Sequence, residues 1–199
     1  MVSSRLKQKF EDWVTPRIRI LGSMGLTPNT VTALGLFSSF ASAWSYLNWR
    51  VSRVMLPIAG MLILLSGFFD ALDGALARTR GEASSLGGFL DSVADRYSDA
   101  IVLMAVIAAG LCGVAWGLVA VVGSLMVSYT RARSEAAGVG MASVGIAERA
   151  ERMLLLAIVT IGAYLWQNLL SWGVILLAIL SQVTVVQRIL HFFVKTRNH

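Results

Sequence analysis

DALDGALARTRGEASSLGGFLDSVAD, residues 70–95, sets four aspartates, Asp70, Asp73, Asp91 and Asp95, between the apolar runs MLILLSGFF (61–69) and AIVLMAVIAAG (100–110). An ionised carboxylate at the centre of a bilayer helix costs about 2.5–3.5 kcal/mol on insertion scales, so four of them require compensation. Asp70 and Asp73 are three residues apart, Asp91 and Asp95 four, and both spacings place a pair on one helix face. Gly81, Ser84 and Ser85 mark a turn between the pairs. Two helices folded back at that turn point all four carboxylates into one space. Clustered carboxylates repel one another unless cations sit between them. Hard divalent ions with oxygen ligands suit such a site, which predicts magnesium or manganese.

The rest of the chain reads as membrane protein. Of 199 residues 56% are hydrophobic and only 14% charged, with mean hydropathy +0.70, against roughly 45–50% apolar and 25% charged in soluble domains. Apolar runs near the roughly 20 residues that span hydrocarbon fall at 29–49, 54–79, 86–112, 114–135, 150–167 and 169–194. The expected architecture is all-α: six transmembrane helices (29–194) in a single membrane domain over 1–199, preceded by an N-terminal amphipathic helix at 3–21. Leu6, Phe10, Trp13, Val14, Ile18 and Leu21 form the apolar stripe of that helix, and its basic residues favour the plane of the membrane. The first twenty residues lack an uninterrupted apolar core, so no cleavable signal peptide is expected.

Net charge is +6 and the isoelectric point about 10.1. Nucleic acid is nevertheless not the expected partner. With a cytoplasmic N-terminus, six spans put every Lys and Arg except Arg50 and Arg53 on or near the cytoplasmic side, the positive-inside pattern. The same distribution favours anionic lipid headgroups. Cys112 is the only cysteine, which rules out an intrachain disulfide.

Within the spans, small and polar residues mark sites. Thr27 or Asn29 caps the first helix, with Pro28 at its start. Gly74 and Ala77 continue the Asp70/Asp73 face with almost no side chain, which leaves room for a base or a diphosphate, or for close helix packing. Arg78, one turn beyond Gly74, offers a guanidinium to phosphate oxygens or anchors the cytoplasmic end. Asp99 shares the Asp91/Asp95 face and is expected to be a supporting acid, paired with Arg96 or with a hydroxyl on a neighbouring helix. Arg131, Arg149, Arg152 and Arg188 come to one cytoplasmic depth, as an anion pocket or as solvated helix ends. His191 and His199 are expected at the interface rather than among ligands.

Asp70-x2-Asp73-Gly74-x2-Ala77-Arg78-x8-Gly87-x3-Asp91-x3-Asp95 resembles the complete signature of the CDP-alcohol phosphotransferase family, membrane enzymes that move a phosphatidyl-type group from a CDP-linked lipid to an alcohol and release CMP. The resemblance implies a two-ion site (Mg2+ or Mn2+). Asp70, Asp73 and Asp91 would hold the first ion, Asp91 with Asp70 and Asp95 would approach the second, and Asp95 would be the general base. The LTPNxxT stretch is similar to one that lines the nucleotide pocket in these enzymes. The implied CDP-lipid site is then Asn29, Thr32, Asp70, Gly74, Ala77, Arg78 and Gly87.

The SYxxAR and GIAERxER stretches resemble the subgroup that uses inositol 1-phosphate. They imply an acceptor-phosphate site of Ser128, Arg131, Arg152 and Arg188, with Arg149 beside it. Arg131 stands where some relatives have Lys, which exchanges a point charge for a bidentate fork. The partners implied are CDP-diacylglycerol or CDP-archaeol, inositol 1-phosphate, membrane lipids and a second copy of the chain in a homodimer. The expected location is the cytoplasmic membrane, multi-pass, with the site facing the cytoplasm. Glycerol 3-phosphate is the alternative acceptor. A divalent-cation transporter is the alternative of a different class, since intramembrane carboxylates also mark ion pathways.

Overall fold

The computed structural model describes residues 26–81 and 84–197; the expected interfacial helix at 3–21 lies outside them. Six helices follow in order: α1 (Pro28–Leu47), α2 (Met55–Arg80), α3 (Ser85–Ala108), α4 (Val114–Ala136), α5 (Arg149–Gly162) and α6 (Asn168–Arg197). No strand occurs among the described residues. α1 packs on α2 and α3, α2 also on α5, α3 on α4, and α6 on α4 and α5. One apolar core runs through the bundle, with Tyr46, Leu56, Ile63, Val106, Leu170 and Leu177 all but excluded from solvent.

Each helix lies over one of the six expected runs, but only α2, α4 and α6 are long and apolar enough to cross a membrane, with mean hydropathies of 1.9, 1.4 and 2.2. Composition accounts for the other three. α3 carries Asp91, Asp95, Arg96 and Asp99, and α1 carries four serines. α5 has 14 residues, about 21 Å at 1.5 Å per residue, against roughly 30 Å of hydrocarbon.

The polar residues of α1 face its neighbours. Ser39 hydrogen-bonds Ser66 of α2 at 2.9 Å, and Ser42 donates to the Ala59 carbonyl at 3.0 Å. Tyr46 is fully buried and its hydroxyl lies 2.5 Å from that of Thr160. The Thr160 hydrogen goes to the Leu156 carbonyl at 2.6 Å, so Tyr46 is the donor between them. Hydroxyls satisfied in this way draw helices together where hydrophobicity gives no preference over lipid. Gly60 does the same without a side chain: a Cβ there would stand 2.6 Å from Ile161 of α5.

Local signals shape the two reversals that matter for the site. Thr27 caps α1 by accepting from the Thr30 amide, and Pro28 occupies its first turn. Gly81 ends α2 in the left-handed conformation at φ 66°, and Ser84 caps α3 by accepting from the Gly87 amide at 3.0 Å. Left-handed glycine at the end and serine at the start are the preferred caps. The C-terminal part of α2 and the start of α3 thereby line one cleft.

The connection from α4 to α5 is held from α6. The Ile146 amide donates to Gln187, the Ala147 amide to Thr184, and Arg188 Nε to the Val144 carbonyl at 2.9 Å. Gly145 sits at φ 118°, where a Cβ would lie 2.4 Å from Thr184 Cγ2. Gly145→Ala therefore combines backbone strain of about 1–3 kcal/mol with a clash. We expect it to lower the unfolding temperature of the detergent-solubilised protein by several degrees, read by circular dichroism; an unchanged midpoint would show that the strap does not hold the bundle.

Candidate active site

The cap at Thr27, the small face of α2 and the start of α3 together frame a cleft of about 310 Å3. Asn29 and Thr32 line it from α1, Asp73, Gly74, Ala77 and Arg78 from α2, and Gly87 and Asp91 from α3. Small size has an evident purpose here. A Cβ on Gly74 would come 3.1 Å from Arg78 Nη1, and one on Gly87 would come 3.1 Å from Ser84 Oγ and 3.5 Å from Asn29 Oδ1. The two glycines keep the walls open and let polar groups lie against bare backbone. Thr27, Pro28, Ser84 and Gly88 also line the cleft; Thr27 and Pro28 belong to the LTPNxxT stretch, whereas Ser84 reads on sequence only as a turn residue.

Beside the cleft the acids converge. Oxygens of Asp70, Asp91 and Asp95 lie within 4.8 Å of one another. A gap of about 10 Å3 adjoins them, lined also by Thr32, Asp73, Ser98 and Arg149, room for about one water-sized sphere. Three hard oxygen donors around such a gap fit a divalent cation. Asp73 stands apart from the three. It is buried, and its Oδ2 accepts from Thr32 Oγ1 at 2.5 Å, which ties α1 to α2 at the cleft floor.

Arginines of α5 complete the charge. Arg149 Nη1 lies 3.0 Å from Asp70 Oδ2 and 2.8 Å from Asp95 Oδ1, and its Nε lies 3.4 Å from Asp99 Oδ1. Arg152 is 3% exposed; its Nη2 donates to Asp99 Oδ2 at 2.9 Å and its Nη1 to the Ala147 carbonyl at 3.1 Å. The expected partner of Asp99 is thus corrected: two arginines of α5 pair with it, not Arg96 or a hydroxyl. Helical side chains lean toward the N-terminus of their own helix. Arg96 accordingly turns back to the Ser92 carbonyl at 2.6 Å and to Asp95 at 3.7 Å, away from Asp99.

The expected acceptor residues fall into two groups. Arg149 lies among the aspartates. Arg131, Arg152 and Arg188 come from α4, α5 and α6. Their surroundings differ. Arg131 is half exposed and pairs with Glu135 at 3.0 Å, an ion pair of little energetic weight. Arg188 is 2% exposed and donates to the carbonyls of Val144 and Val127, so it anchors the strap and α4 as well as facing its neighbours. Ser128 is half buried, one turn before Arg131 on α4.

Comparison with known proteins bears on the chemistry. A family model described as CDP-alcohol phosphatidyltransferase matches residues 25–186. The chain is 40% identical over 189 residues to an archaetidylinositol phosphate synthase of Pyrococcus horikoshii, which covers 94% of each chain. It is 35% identical to a phosphatidylinositol phosphate synthase of Mycobacterium tuberculosis, over 88% of this chain and 83% of that one. Crystal structures of the Mycobacterium tuberculosis synthase are similar at 34% identity. The complex with manganese and citrate has TM-score 0.77 and covers 90% of this chain and 88% of that one. The form with CDP-DAG bound has TM-score 0.75, over 90% and 93%. Signature, cleft and fold agree: this multi-pass membrane protein belongs to the CDP-alcohol phosphatidyltransferase family.

Proposed function

We propose that the chain transfers a phosphatidyl or archaetidyl group from a CDP-linked lipid to L-myo-inositol 1-phosphate and releases CMP. The observation that carries this reading is the convergence of Asp70, Asp91 and Asp95 on the edge of a cleft whose walls are stripped of side chains at Gly74 and Gly87. The relatives that match most of the chain are archaetidylinositol phosphate and phosphatidylinositol phosphate synthases, which favours that acceptor over glycerol 3-phosphate. The acids gather beside one cleft and do not ladder across the bundle, which argues against a transporter.

In this reading the residues divide the work. Asp70, Asp73, Asp91 and Asp95 hold two divalent ions, magnesium or manganese. Ions held by these carboxylates would supply charge neutralisation for a diphosphate in a phosphoryl-type displacement. Asn29, Thr32, Gly74, Ala77, Arg78 and Gly87 receive the cytidine and diphosphate of the donor. Asp95 takes the proton of the acceptor hydroxyl, a poor nucleophile until a base lies within hydrogen-bonding reach. Ser128, Arg131, Arg152 and Arg188, with Arg149, orient the acceptor by its phosphate. All six helices belong to one membrane domain over 1–199, with 3–21 along the cytoplasmic interface, the cleft open to the cytoplasm and two copies in a dimer.

The decisive assay crosses CDP-diacylglycerol and CDP-archaeol with inositol 1-phosphate, glycerol 3-phosphate and serine, and follows CMP release by the purified protein. Release is expected with inositol 1-phosphate alone among the acceptors, and only with a divalent ion. Release with glycerol 3-phosphate instead would reassign the acceptor. No release with any pair, together with manganese uptake in proteoliposomes, would make the protein a transporter.

A further inference from the structure

Arg149 contacts the acids more closely than an acceptor-binding residue needs to. Its Nη1 touches Asp70 at 3.0 Å and Asp95 at 2.8 Å, two of the three carboxylates whose oxygens gather within 4.8 Å. One nitrogen thus lies against two of the carboxylates that would hold a divalent ion. A guanidinium and a dication at contact distance repel each other, and the ion carries twice the charge, so the two compete for the site.

The far side of the same guanidinium is less well satisfied. Arg149 Nε is buried without a hydrogen bond, as is Arg152 Nε; the Asp99 oxygen at 3.4 Å gives Arg149 Nε an ion pair of poor geometry. Buried donors without acceptors are rare. Two of them, one helical turn apart at the start of α5, suit an anion. Asp99 is itself fixed by Arg152 at 2.9 Å and so supplies a stationary point about which Arg149 can turn.

We propose that Arg149 is a displaceable counter-ion: it neutralises Asp70 and Asp95 until a divalent ion expels it, and the released guanidinium then takes the phosphate of the acceptor. Ion binding thereby completes the acceptor site. The inference rests on the reading that Asp70, Asp91 and Asp95 hold an ion and that the acceptor is phosphorylated. Linkage makes it reciprocal: an acceptor that captures Arg149 must tighten ion binding by the same factor.

The test is Mn2+ binding to the full-length detergent-purified protein, followed by the electron paramagnetic resonance of free Mn2+, with and without inositol 1-phosphate and without CDP-lipid. In the wild type, inositol 1-phosphate is expected to lower the Mn2+ dissociation constant by about tenfold, within the usual range of coupling. Arg149→Gln should bind Mn2+ alone more tightly by about tenfold and lose nearly all of the coupling. Unchanged coupling in that variant, or weaker Mn2+ binding, overturns the proposal. A second measurement avoids any folding defect: phenylglyoxal modification of the wild type, read residue by residue by mass spectrometry. Mn2+ should speed modification of Arg149 several-fold and leave Arg50 unaffected, and inositol 1-phosphate added with Mn2+ should protect Arg149. An unchanged or slower rate on Mn2+ addition overturns the proposal. Should Asp91→Asn bind Mn2+ as the wild type does, the metal site itself falls, and the role of Arg149 with it.

Discussion

Asp91→Asn and Asp70→Asn are each expected to reduce CMP release by about a thousandfold while leaving a folded protein. A divalent ion stabilises the charge of a phosphoryl-type transition state by several kcal/mol, and each 1.36 kcal/mol is a factor of ten in rate. Asn keeps the shape of Asp but removes the charge. The three-oxygen cluster of Asp70, Asp91 and Asp95 then falls to two anionic donors. Asp73→Asn should be comparably damaging, since it removes a charge of the proposed ion site that Thr32 holds in place at 2.5 Å. Asp95→Asn should cost turnover more than donor binding, because a base acts on the acceptor hydroxyl only as the reaction proceeds. The measurement is release of labelled CMP at saturating CDP-lipid across a Mn2+ titration, with monodispersity on size exclusion as the check on folding. Near wild-type turnover at limiting metal in Asp70→Asn or Asp91→Asn would remove the metal assignment.

Arg152→Ala carries the largest expected effect on stability. Arg152 is 3% exposed and is held between Asp99 at 2.9 Å and the Ala147 carbonyl at 3.1 Å. Removing one member of a buried pair costs about 3–5 kcal/mol, because the remaining charge is left uncompensated. The low end applies, since Arg149 still lies 3.4 Å from Asp99. About 3 kcal/mol corresponds to a fall of roughly 6–12 °C in the thermal midpoint of a chain of this size. The double substitution Arg152→Gln with Asp99→Asn removes both charges and should recover most of that loss. A midpoint within about a degree of wild type for Arg152→Ala would mean that water already compensates Asp99. The same variant should raise the KM for inositol 1-phosphate at least about tenfold, the worth of one charge-assisted hydrogen bond. Lost stability with an unchanged KM would make Arg152 a strut and not a phosphate ligand.

Arg152 also shows where reading along the chain stops. Its position beside Arg149 on one helix face was legible, because periodicity is local. Its partner was not. Asp99 lies 53 residues away, and two long flexible side chains meet or miss according to how α3 and α5 are packed. Arg188 teaches the same lesson in reverse: it reads as a phosphate ligand, yet two of its donors hold the carbonyls of Val144 and Val127. A backbone carbonyl leaves no mark in a sequence.

By itself the sequence determined what depends on spacing and composition: six helical segments, a helix start at Thr27 to Asn29, a turn at Gly81 and Ser84, and aspartate pairs three and four residues apart on helix faces. These follow from the geometry of a single helix and the φ preferences of single residues. Tertiary structure decided which charges meet. It set Asp73 against Thr32 and outside the cluster of the other three acids, gave Asp99 to Arg152, and drove Arg149 in among the carboxylates. The placement of Arg149 goes with the packing of α5 against α2, where Gly60 lies against Ile161.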